Sequence, residues 1–176
     1  NLIKDLTKNE IYHCYKDKDG VKVFLDDYTY LAQLMINFYE ITGEINYLND
    51  AKKIVQQTWD LFYDKENKIL QKNPIKQNDL FVPPLDINDS NIPNGNSVFL
   101  LNCKKLEAIT SDTKWQGMAK ELTESFHSFL NLKSTQMASY IKNLDMCEEL
   151  TTFTFFGDIK KIKELQQFVK KNYLKS

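Results

Sequence analysis

The stretch Phe38-Tyr39-Glu40-Ile41-Thr42-Gly43-Glu44-Ile45-Asn46-Tyr47 decides the fold, because it reads as the end of one helix, a tight turn and the start of a second. Upstream, Tyr28, Leu31, Met35, Phe38 and Tyr39 recur at the three- and four-residue spacing of one buried helix face. Gly43 follows them as a left-handed stop. Downstream, Tyr47, Ala51, Ile54, Val55, Thr58 and Phe62 mark the inward face of the partner. A turn this short forces the two helices antiparallel, so the unit is an αα-hairpin.

The same pattern returns 68 positions further on, faint in identity but long. Ile109-Thr110-Ser111-Asp112 answers Ile41-Thr42-Gly43-Glu44, Trp115 answers Tyr47, and Ala119-Lys120 answers Ala51-Lys52. Leu122, Phe129 and Leu130 answer Ile54, Leu61 and Phe62. A further helix is predicted from about Ser134 to Cys147 on Met137, Tyr140, Ile141 and Leu144. The period then changes. Thr151 to Phe156 alternates as a strand, Gly157 breaks it, and Asp158 caps a last helix with Ile162, Leu165, Phe168 and Val169 facing inward. Ile11 to Tyr15, closed by Asp19-Gly20, reads as another short strand. The fold class is therefore all-α, helical hairpins with a short terminal strand and helix. Stacked hairpins need neighbours on both sides. With a helix-tail-like start at Leu2-Ile3-Lys4-Asp5-Leu6 and no initiator Met, the chain is expected to be a carboxy-terminal fragment of a longer protein. In isolation it is expected to self-associate through its uncovered apolar faces.

Composition narrows the partners. The 176 residues carry 23 basic side chains, every one lysine, against 24 acids, for a net charge of −1. Without arginine or a basic excess, no nucleic-acid partner is expected. No apolar run reaches the roughly 18 residues of a membrane span and the start lacks a signal-peptide layout, so a cytoplasmic setting with no membrane partner is expected. Cys14, Cys103 and Cys147 show neither redox-pair nor zinc spacing and read as buried or inert thiols, and no cofactor is expected.

Equivalent helices of a hairpin array point the same way, which puts Asp26-Asp27-Tyr28 and its counterpart Asn94-Gly95-Asn96 at one end, together with the long connections 9–25 and 65–94. That end is the candidate site face. Asp26 and Asp27 could serve as general acid or base, or could simply cap the helix and complement its dipole. Asn94-Gly95-Asn96-Ser97 could be a ligand loop, or a turn with an N-cap. Asp86, Asn88 and Ser90 only begin the alternation of a calcium loop, so no metal is expected. His13 and His127 read as structural, the latter replacing Trp59 of the first repeat. The terminal lysines Lys160, Lys161, Lys163, Lys170, Lys171 and Lys175 read as the solvated face of the last helix.

The segment from Phe24 to Gly157 resembles the carboxy-terminal part of the YyaL-type thioredoxin-domain proteins, which include the spermatogenesis-associated members of animals. The resemblance rests on FLDDY at Phe24 to Tyr28, FYEITG at Phe38 to Gly43, IPNGNSV at Ile92 to Val98 and TFTFFGD at Thr151 to Asp158. It implies a parent with an amino-terminal thioredoxin-like domain, itself a partner, followed by an (α/α) toroid similar to N-acylglucosamine 2-epimerases and six-hairpin glycosidases. Residues 1–150 would be the last portion of that toroid and 151–176 a strand-helix extension of the same domain. A small polar, carbohydrate-like ligand would sit in a funnel lined by the starts of the inner helices. Asp27 would be the acid or base, with Asp26 beside it, and Tyr28, Asp86, Asp89, Asn96 and Ser97 would position the ligand. The resemblance also implies a loss: relatives commonly write R-P-K-D where this chain has Pro83-Pro84-Leu85-Asp86, and Ser where it has Asn94. The rival class is a non-catalytic scaffold that docks the thioredoxin-like domain through the same loops.

Overall fold

A computed structural model describes residues 11, 23–75, 87–148, 155 and 157–172. The described elements are α1 (Leu25–Thr42), α2 (Ile45–Phe62), β1 (Tyr63–Asp64), β2 (Ile69–Leu70), α3 (Gly95–Thr110), α4 (Thr113–Lys133), a 3-10 turn (Ser134–Gln136), α5 (Ala138–Glu148) and α6 (Ile159–Asn172). The fold is all-α, and the strands among the described residues are these two of two residues each. Among the described residues no helix is long and apolar enough to cross a membrane.

The sequence repeat is a structural repeat. Helices α1 and α3 both end on a left-handed residue, Gly43 at φ 74° and Ser111 at φ 56°, 68 positions apart, and each donates its N–H back into the helix, to the carbonyls of Tyr39 and Glu107. The helices that follow, α2 and α4, start 68 positions apart as well. Paired positions share burial: Met35 and Cys103, Ala51 and Ala119, and Ile54 and Leu122 are all in the core. Phe62, Phe99, Phe126 and Tyr140 are the largest of its fully buried side chains, and each such burial contributes about 1.5–3 kcal/mol.

Helix α1 packs on α2 and α3 on α4, while α1, α3 and α5 lie side by side as an inner row. The row runs in one direction, since the start of α3 meets the start of α1 and Lys105 near its end reaches Glu40 at 3.0 Å. A repeated device holds it together. The Asn102 amide of α3 donates to the Thr29 carbonyl of α1 at 2.8 Å, and the Asn143 amide of α5 donates to the Ser97 carbonyl of α3 at 2.8 Å. Thr29 and Ser97 are themselves 68 positions apart, so each inner helix grips its predecessor at the same turn.

Between α2 and α3 the chain makes a small antiparallel hairpin with Tyr63 opposite Leu70 and Asp64 opposite Ile69. Its strands are too short for a period-two signal, so the sequence shows only a long connection there. The predicted helix from Ser134 begins as the 3-10 turn and becomes α-helical at Ala138, and Ile141 is exposed on it. Asp158 caps α6 as expected, its Oδ1 accepting from the Lys160 N–H at 2.9 Å. The inward assignment of Leu165 and Phe168 is corrected: they are 49% and 59% exposed, while Val169 is buried and Ile162 partly so. Helix α6 comes close to the rest of the chain at the α1–α2 turn, with Gln166 beside Gly43, and one 14-residue helix resting on a hairpin end can bury only a narrow stripe. The strands expected at Ile11 to Tyr15 and Thr151 to Phe156 fall outside the described residues, save Ile11 and Phe155.

Candidate functional site

The starts of α1 and α3 touch. A Cβ built on Gly95 would lie 2.5 Å from Asp26 Oδ1 and 2.9 Å from Leu25 Cγ, so no larger residue fits between the helix ends. Gly95 is the first residue of α3, which lays the Asp26 carboxylate across the N-terminus of that helix, where the dipole favours negative charge. Asn94 is the N-cap, and its side chain accepts from the Asn96 N–H at 2.9 Å. The start of α1 is fixed differently. Phe24 has no side-chain acceptor, so Asp27 reaches back and its Oδ2 accepts from the Phe24 N–H at 2.9 Å, while the Leu25 N–H donates to the Lys72 carbonyl at 3.0 Å.

A concavity of about 710 Å³ opens over this junction, lined by Phe24, Asp26, Asp27, Tyr30, Leu31, Leu34, Lys72 and Ile92. Asp27, Leu31 and Leu34 share one stripe of α1 by helical spacing, and Asp26 and Tyr30 the next. Lys72 arrives from the segment after β2, and Ile92 from the loop before α3. Tyr30 spans the gap to that loop by donating its hydroxyl to the Pro93 carbonyl at 3.0 Å. Burial, with the charges of Asp26 and Asp89 added, raises this phenol above its ordinary value and keeps it protonated as a donor. The wall thus offers two carboxylates, an ammonium and a phenol beside four apolar side chains. Carboxylates and an ammonium can hydrogen-bond hydroxyl groups or move protons, and the apolar stripe can receive the C–H face of a ring.

Several residues expected at the ligand lie behind that wall. Tyr28 is buried edge-on against Phe62 with ring centroids 5.5 Å apart. Asn96 is buried and straddles Leu70, its Oδ1 accepting from the Leu70 N–H and its Nδ2 donating to the Leu70 carbonyl, both at 2.9 Å. Ser97 is buried beside it, and its hydroxyl has no partner among the described residues. Asp89 is a clasp: it accepts from the Asn94 N–H at 2.9 Å, from the Ser139 N–H at 2.7 Å and from the Ser139 hydroxyl, so it ties the loop to the start of α5. Asp86 lies outside the described residues. So do His13 and Cys14, and nothing of the Cys147 side chain is described. His127 is exposed, with Nδ1 3.2 Å from the Thr123 carbonyl. Cys103 is wholly buried, and that burial pushes its thiol well above the ordinary range. Among the described residues no group of three or more His, Cys, Asp or Glu could hold a metal ion.

Sequence reasoning missed Phe24, Tyr30, Leu31, Leu34, Lys72 and Ile92 as wall residues. Tyr30 and Leu34 were open to it, since they stand four and seven positions after Asp26 and Asp27 on a helix. Lys72 and Ile92 were not, because irregular connections bring them in.

No protein-family model matches this chain, and no curated protein sequence matches it. Among solved structures it is similar to a glycoside hydrolase family 76 (mannosidase) protein of Bacteroides thetaiotaomicron, with a TM-score of 0.53 and 18% sequence identity. The likeness covers 72% of this chain and 36% of the bacterial one, so the chain spans about a third of that protein. At this identity the likeness is one of fold: the inner and outer rows of hairpins are part of an (α/α) toroid.

Proposed function

We propose that the concavity at the start of α1 binds a small polar, carbohydrate-like ligand, with Asp27 as acid or base where a reaction follows and Asp26 beside it. The observation that carries this reading is the pocket wall itself, which sets Asp26, Asp27, Tyr30 and Lys72 against Leu31, Leu34 and Ile92. A sugar needs both kinds of surface at once, hydroxyl partners and an apolar platform. The fold likeness to a mannosidase supports the choice of ligand by analogy. In this reading Tyr28, Asn96, Ser97 and Asp89 hold the wall in place, since they are packed or hydrogen-bonded behind it, and Asp86 keeps the ligand role that the family resemblance implies. The parent is a cytoplasmic protein of the YyaL type, a reading supported by FLDDY, FYEITG, IPNGNSV and TFTFFGD.

The scaffold alternative is favoured by one observation: Asp27 and Asp89 both accept backbone N–H bonds, as structural caps do. A thermal-shift panel of neutral mono- and oligosaccharides on the full-length protein separates the two, because a ligand at 100 times its dissociation constant stabilises by about 2.7 kcal/mol. A sugar-dependent shift that Asp27→Ala abolishes is expected. If no sugar stabilises the protein, or if Asp27→Ala leaves binding and turnover unaltered, the ligand reading is wrong and the scaffold stands.

A further inference from the structure

Helix α6 carries a face that neither the described fold nor the pocket uses. Lys161, Leu165 and Phe168 follow one another at four- and three-residue spacing and therefore share a stripe, and all three are exposed. Lys160, Lys163 and Lys171 are exposed on the turns around it, and none of these four lysines takes part in an ion pair among the described residues. The same helix has a single acid, Glu164. The adjoining stripe, with Val169 buried and Ile162 and Gln166 half-buried, is what seats the helix on the protein. Beside that seat, at the α1–α2 turn, Ile41 and Ile45 are 63% and 57% exposed. Four large apolar side chains thus face outward at the end of the molecule away from the pocket, with lysines around them.

We propose that this face lies on an anionic lipid bilayer, with Leu165 and Phe168 inserted at the headgroup boundary and the lysines paired with lipid charge. Charge complementarity selects this occupant. An amphipathic helix of low overall hydrophobicity, with lysines beside Leu and Phe, is suited to the interface plane and not to a span. Lysine is the appropriate cation, because its long apolar stem lets it snorkel and its ammonium needs no fixed geometry. A protein or nucleic-acid partner recognised through phosphate or carboxylate forks would call on arginine, and the chain has none. Docking here leaves the concavity at the other end open to solvent. The whole-chain composition hides all this, since a net charge of −1 averages a basic helix with acids elsewhere.

The test is co-sedimentation of the intact protein with vesicles of phosphatidylcholine alone and of phosphatidylcholine mixed with phosphatidylserine. Binding to the mixed vesicles, falling with added salt, is expected, with affinity dropping about fivefold for each exposed lysine removed. Phe168→Asp and the pair Lys160→Glu with Lys161→Glu should each abolish it. All three positions are exposed, so unchanged circular dichroism confirms that the variants fold. No sedimentation with either vesicle, or equal sedimentation with both, overturns the proposal. So does a concentration-dependent dimer that Phe168→Asp dissolves without any vesicle binding, which would assign the face to a second copy of the chain.

Discussion

Helices α1 and α3 occupy equivalent places in the two copies of the repeat, yet they are built from different chemistry. Helix α3 stands between α1 and α5, and every residue from 95 to 103 is buried. Its polar residues are there to satisfy neighbours: Asn96 holds Leu70, Asn102 holds Thr29, and the Ser97 carbonyl receives Asn143. Helix α1 has one described inner neighbour. At the positions matching Asn96 and Asn102 it carries Tyr28, packed on Phe62, and Leu34, exposed on the pocket wall. An inner helix with two neighbours is therefore tied by amides, while the one with an open flank carries the concavity. The site lies where the repeat is left uncompleted among the described residues.

The largest test of this contrast is Asn96→Ala. It strands a buried N–H and a buried carbonyl of Leu70 at once, each costing about 1–3 kcal/mol, so a loss of about 2–5 kcal/mol in urea unfolding is expected. A loss below about 1 kcal/mol would mean that the amide is not what joins the hairpin to α3. Gly95→Ala comes next. Its new methyl must displace Asp26 and Leu25, and overpacking of this kind costs about 1–3 kcal/mol. The variant should also lose sugar-dependent stabilisation, because the displaced carboxylate belongs to the pocket wall. Full stability would show that the two helix starts part easily.

The hairpins were legible because burial repeats on a fixed register: Met35 with Cys103, and Ala51 with Ala119, keep size and period even where identity has gone. Both turns were legible from Gly43 and Ser111. The clustering of Asp26 with Gly95 followed from the same register, since equivalent helices share a direction. What the sequence hid depends on contacts distant in the chain. The Asn102 and Asn143 amides read as isolated polar residues until α1, α3 and α5 stand side by side, and Lys72 and Ile92 reach the pocket on connections that no periodicity constrains. The amphipathic pattern of α6 misled in a specific way. Periodicity identifies an apolar stripe but not what covers it, and Leu165 and Phe168 are left exposed among the described residues.

Asn102→Leu makes α3 match α1, since Leu34 is its counterpart. The exchange removes one amide bond to the Thr29 carbonyl and also the buried Asn102 Oδ1, which has no partner among the described residues. A net change within about 1.5 kcal/mol is expected, because replacing an imperfectly satisfied polar pair by an apolar side chain is nearly neutral. A loss beyond about 3 kcal/mol would show that the amide fixes the spacing of the inner row.

The smallest effect separates the ends of the two hairpins. The first closes through β1 and β2, where burial alone would raise the Asp64 carboxyl, but hydrogen bonds from the Asn67 and Gln71 amides at 2.7 Å and from the backbone N–H groups of Glu66 and Asn67 outweigh it and hold the group below its ordinary value. The second closes through the 3-10 turn at Ser134–Gln136, in which no acid lies. A depressed carboxyl adds stability that is fully present above the unfolded value near 4 and is lost as pH falls through the lower folded value. Asp64→Asn should therefore cost a few tenths of a kcal/mol at neutral pH, since the carboxylate is only partly buried and solvent screens it, and should flatten the acid limb of the stability profile. Equal slopes for the two proteins below pH 4 would mean that Asp64 gains no more from the folded hairpin than it has in the unfolded chain. The joint between the hairpins would then rest on Leu70 and Asn96.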